Sequence, residues 1–131
     1  MRRAVFTLGI ALIAGSAPAL AHHSFAAEYD ANRKVELAGV VTKVEWMNPH
    51  ARFYLDVKDA SGKVINWELE LRSPNVLRVE GWSRSSMKPG DRVTVEGYPA
   101  RDGSRLASAQ GIRFADGRKV FSGPAGARPL Q

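Results

Sequence analysis

The sequence predicts an all-β fold: five strands closed into a Greek-key barrel, with one short helix between strands three and four. Three observations predict it. Runs of alternating apolar and polar residues recur between turn signals. A helix start at Ser73-Pro74-Asn75 follows the third run. The first run is long and has Gly39 near its middle, as a strand that bends around a barrel requires.

Val35 to Trp46 is the first strand. Val35, Leu37 and Val41 share one parity, and Val40, Val44 and Trp46 share the other. Both faces are therefore apolar, which predicts a switch of side near Gly39. Asn48-Pro49 ends the run. Ala51 to Lys58 and Lys63 to Leu71 form a hairpin around Asp59-Ala60-Ser61-Gly62. Phe53, Leu55 and Val57 face inward on the first arm, and Ile65, Trp67, Leu69 and Leu71 on the second. Ser73 caps the helix, Pro74 takes its first position and Gly81 ends it. Arg92 to Tyr98 is the fourth strand, with Val93 and Val95 inward. Asp102-Gly103 turns the chain into the fifth. There Leu106, Ser108, Gln110, Ile112 and Phe114 share a face. Lys119 to Phe121 adds a short strand after the Asp116-Gly117 turn. This order is that of an OB-fold; a small open sandwich of the same strands is the alternative.

The chain has 131 residues, 44% hydrophobic and 24% charged, with a formal net charge of +6 and no Cys. Such a composition excludes a disulfide scaffold, a collagen and a multi-pass membrane protein. Met1-Arg2-Arg3, the apolar run Ala4 to Gly15 and the Ala19-Leu20-Ala21 site read as a secretory signal peptide. The apolar run is short of the roughly 20 residues that span a bilayer. The expected organisation is a signal peptide at 1–21, an arm at 22–34, a barrel at 35–121 and a loose tail at 122–131. In the arm, Phe25 and Tyr29 have the spacing of one helical turn. The expected location is periplasmic or secreted, with no stable membrane anchor after cleavage.

His22-His23-Ser24-Phe25 and Trp46-Met47-Asn48-Pro49-His50, with Gly81-Trp82 and Lys88-Pro89-Gly90-Asp91, resemble a family of small exported bacterial proteins of unknown function. The resemblance covers nearly all of the chain after the signal peptide. It implies export and names no activity.

All three histidines, His22, His23 and His50, lie in those blocks. Cleavage after Ala21 would make His22 the first residue. Its amine and its ring Nδ1 then chelate one metal together, and nitrogen-rich sets suit copper. His50 follows Asn-Pro at a strand end, and it or His23 supplies a second imidazole. Met47 adds a thioether that suits Cu(I). The alternative is a solvated pair at the start and a turn histidine at 50, with Met47 in packing.

Tyr54, Arg52 and Trp46 line a prospective ligand groove for a small ligand, a glycan or a partner protein. Trp67 reads as core, and Trp82 as packing the helix end. Glu68 and Glu70 read as two solvent-facing strand positions without partners. No nucleophile motif, phosphate loop or dinucleotide fingerprint occurs, so an enzyme is not expected. The basic excess is scattered among acids, and nucleic acid is not an expected partner. Two functions remain: a copper-binding module, or a ligand-binding barrel whose histidines are incidental.

Overall fold

The computed structural model describes residues 25–121. α1 (Phe25–Glu28) is a single helical turn, a conformation that the Phe25–Tyr29 spacing suits. β1 (Val35–Glu45), β2 (Arg52–Lys58) and β3 (Val64–Glu70) form an antiparallel meander. α2 (Pro74–Val79) follows, with Ser73 as its cap: the Ser73 hydroxyl accepts from the Val76 amide at 3.4 Å. β4 (Arg92–Pro99) pairs with the other edge of β1, and β5 (Leu106–Phe114) pairs with β4. β5 then runs parallel to β3, from Glu68 opposite Leu106 to Glu70 opposite Ser108. That pairing closes the ring β1-β2-β3-β5-β4, which is the OB-fold barrel. β6 (Lys119–Phe121) adds to β5 outside the ring.

The core is the inward alternation of every ring strand. Val41, Phe53, Leu55, Leu69, Val95 and Ile112 are fully buried. Leu77, Trp82 and Met87 join the same cluster, so α2 and the loop after it plug the barrel. Burial of such side chains contributes roughly 1.5–3 kcal/mol each. Among the described residues no helix is long and apolar enough to cross a membrane.

Three expectations need correction. The switch of side in β1 falls at Thr42, not Gly39: Val41 pairs with Leu55 and Lys43 with Tyr54, so Thr42 is the extra residue. Gly39 serves a different need. A Cβ there would lie 2.1 Å from the Asp56 carbonyl oxygen, so only glycine permits the approach of β2.

β5 does not keep one parity. Gly111 pairs with Glu96 and Ala109 with Gly97, so Gln110 is bulged. Ala107 and Ala109 face the core before the bulge, Ile112 and Phe114 after it.

Trp67 faces inward opposite Leu55 and packs against the core as expected, but it is only half-buried, with the Arg105 guanidinium 5.4 Å from its ring centroid. The pairing of β3 with β5 begins only at Glu68, which leaves the first half of β3 on an open edge.

Candidate functional site

Cross-strand partners share a face of the barrel. Register therefore places Glu45, Arg52, Glu70, Ser108 and Tyr98 in one row on the outside. Glu70 belongs to that outer row, yet it is only 7% exposed. The reason lies in the segment before β1. Tyr29 follows α1, pairs with Ala100 as an isolated bridge and is 2% exposed. The Asp30 amide donates to the Pro99 carbonyl at 2.9 Å, and the Arg101 amide to Glu28 at 2.9 Å. Arg101 Nε donates to the Ala26 carbonyl at 2.8 Å. Phe25 stacks on Tyr29 with centroids 5.3 Å apart and meets the Tyr98 ring edge-on at 5.7 Å. This aromatic layer is stitched to the end of β4 and brings the Tyr29 phenol beside Glu70.

The Glu70 carboxylate is also held from two other directions. His50 Nδ1 lies 3.2 Å from Oε1. Arg52 Nη2 lies 3.6 Å from Oε2, while its Nη1 lies 2.9 Å from Glu68 Oε1. Burial, and next the negative charge of Glu70, push the Tyr29 phenol well above its ordinary value; Arg52 pulls the other way. Glu70 acts on Tyr29 as a nearby charge. The buried Oη meets no partner at hydrogen-bonding geometry among the described residues, and neither does Gln110 Oε1.

Next to this cluster on the outer face, the Tyr54 hydroxyl donates to Glu45 Oε2 at 3.2 Å, and Lys43 Nζ sits 5.2 Å from the Tyr54 ring centroid. Lys43 also pairs with Glu45 and holds that carboxyl below its usual range. Burial, then Glu68 and Glu45, raise the Tyr54 phenol.

The structure thus joins two sets of residues that the sequence kept apart. His50, from the metal set, and Arg52, from the groove set, meet on Glu70. Met47 is 54% exposed. His22 and His23 lie outside the described residues. Trp46 does not share a face with Arg52 and Tyr54. The bulge at Thr42 turns the end of β1 over, so Trp46 packs against the core and its indole Nε1 is buried without a partner among the described residues. Glu70 and Glu68, read as simple solvent-facing positions, are both partnered. Tyr29 was absent from every candidate site. The one signal in the sequence was its four-residue spacing from Phe25, which says that a helical turn forms and nothing about where it docks.

A buried carboxylate that grips a histidine nitrogen fixes the ring and its tautomer. With the proton on Nδ1, Nε2 keeps its lone pair for a ligand. Among the described residues no three His, Cys, Asp or Glu side chains converge as a metal site.

No curated protein matches the chain. Among solved structures, the mitochondrial single-stranded DNA-binding protein Rim1 of S. cerevisiae is similar, at 10% identity and a TM-score of 0.49. The match covers 63% of this chain and 93% of that one, and at such identity it concerns fold alone. The expectation that nucleic acid is not a partner is not kept, since this similar fold occurs in a protein described as binding single-stranded DNA. A family model matches residues 11–109, three quarters of the length, and by it this chain belongs to the family of unknown function DUF6152.

Proposed function

We propose that this protein is an exported module that binds a transition metal, copper above all, through His50 and the histidine-rich segment after the signal peptide. The observation that carries the reading is the His50–Glu70 pair at 3.2 Å. Metal-bound imidazoles commonly give their other ring nitrogen to a carboxylate, which orients the ring and raises its basicity. Here the carboxylate is buried and is itself held by Arg52.

The described residues offer one imidazole, so the other donors come from elsewhere in the chain. His22 and His23 are the only other imidazoles. His22 is three residues from Phe25, a stretch whose full extension is about 10 Å. Phe25 in turn stacks on Tyr29, which lies beside Glu70. Cleavage after Ala21 frees the His22 amine. Amine, its own imidazole and His50 make a three-nitrogen set suited to Cu(II).

Titration calorimetry with Cu(II) at one pH tests this on four proteins: the secreted form, His50→Ala, His23→Ala and a form with one extra residue before His22. The extra residue keeps every imidazole and moves the amine out of chelating position. Large losses are expected for that form and for His50→Ala, and a smaller one for His23→Ala. Equal affinity in all four would end the proposal. The intact mass of the exported protein checks the start at His22.

A further inference from the structure

A second site lies at the other end of β2, away from Glu70. Cross-strand register sets Ala38 of β1 beside Thr94 of β4, which pairs with Arg113 of β5. On the opposite edge of β1, Val40 pairs with Asp56 of β2, and Lys58 lies two residues further along that strand. A groove of about 570 Å³ opens here. Ala38 and Val40 form its small-residue floor, and Lys58, Arg92, Thr94 and Arg113 stand around it. Its one acid, Asp56, already accepts from Asn66 Nδ2 at 2.7 Å. Arg113 is shared with Glu36 at 3.2 Å, a pair exposed on both sides and therefore weak. Lys58 and Arg92 have no ion pair among the described residues.

We infer that this groove binds a small molecule bearing two or more phosphate groups. Three cations and a hydroxyl line a depression floored by Ala38 and Val40. Guanidinium groups match phosphate oxygens in paired geometry, and lysine adds a mobile point charge. Charge sets the number of anionic groups. Lys58 and Arg113 stand on strands three gaps apart, roughly 14 Å at the backbone, with Arg92 on a strand between them. Cations spread over that width match a chain of phosphates, whose several charges balance all of them. The volume suits a small ligand. The aromatic residue at the groove, Phe114, is buried in the core with the Arg118 guanidinium over its ring, so it offers no face for base stacking and the phosphates themselves are the recognised part.

The test uses inorganic tripolyphosphate as the probe, titrated into the full exported protein at low salt, with sulfate as a singly placed dianion. Tripolyphosphate should bind more tightly than sulfate, and more weakly as salt rises. Lys58→Ala and Arg92→Ala should each lose about tenfold or more in affinity. Ala38→Phe fills the floor, changes no charge and should abolish binding. Lys63→Ala, in the β2–β3 turn, removes one charge elsewhere and should change nothing. His50→Ala should also leave tripolyphosphate binding intact, so failure here and failure of the copper reading are separate results. Equal losses in Lys63→Ala and Arg92→Ala would reduce the groove to net charge and overturn the inference. So would unaltered binding in Ala38→Phe, or no binding by the parent protein.

Discussion

His50 and Glu70 meet at 3.2 Å although one belongs to the loop before β2 and the other to the end of β3. The hairpin register brings them together. Arg52 is paired with Glu70, so a residue two places before Arg52 arrives at the same carboxylate.

That relationship predicts a graded series for copper. Glu70→Gln keeps the shape and a carbonyl acceptor but removes the charge that holds the imidazole. Its Cu(II) affinity should fall by about 10–100-fold, the range for groups that orient a metal ligand. Circular dichroism and a thermal melt should show a folded protein. Calorimetry showing unchanged affinity would mean that Glu70 supports the barrel and not the ligand.

Tyr29 predicts an alkaline signature. Its folded pKa lies above the ordinary 10.0, so folding favours the protonated phenol. The associated stability is fully present below pH 10.0 and is lost as pH rises through the folded pKa. Tyr29→Phe removes that dependence. Above pH 10 its stability should fall less steeply than the parent's, by about 1.4 kcal/mol per pH unit, one proton's worth. At neutral pH the change should be close to neutral, because the lost hydroxyl is an unpartnered one. Urea unfolding across pH 7 to 11 reads both limbs.

The two faces of β2 should separate in stability. Phe53→Ala empties a fully buried core position and should cost about 3–5 kcal/mol. Tyr54→Ala, on the outer face, and Trp67→Ala, on the open half of β3, should each cost nearer about 1–2 kcal/mol. Thermal melts that rank Trp67→Ala with Phe53→Ala would mean that the first half of β3 is closed in solution.

Gly39→Ala should be severe for a residue so small. Its methyl group would fall 2.1 Å from a backbone oxygen of β2, which a side-chain rotation cannot relieve. Separation of β1 from β2 should cost about 3 kcal/mol. Gly111→Ala is the control, since nothing lies within 4 Å of the Cβ it would carry. Equal melting temperatures for the two would contradict the close approach.

Much of the barrel was legible because its causes are local. Val, Ile and Leu at every second position mark a strand and its inner face. Ser73-Pro74 marks a helix start, through a hydroxyl that accepts a free amide and a ring that needs no donor. Each of these depends on a few neighbouring residues. Their order along the chain was enough to name the OB-fold.

Local pattern thus accounts for the strands, the short helix, the order that makes a Greek-key barrel, and the clustering of every histidine in two blocks. Where side chains from distant strands meet follows from long-range packing instead. The bulges at Thr42 and Gln110 insert one residue and reverse the parity of all that follows, so Trp46 turns inward. Alternation says which face of a sheet a residue takes, but not whether another segment covers that face. Glu70 reads as solvent-facing for that reason and is buried because Tyr29, forty-one residues earlier, docks beside it. The free energy of that docking comes from long-range packing and strand register, and neither is written in any local window of the chain.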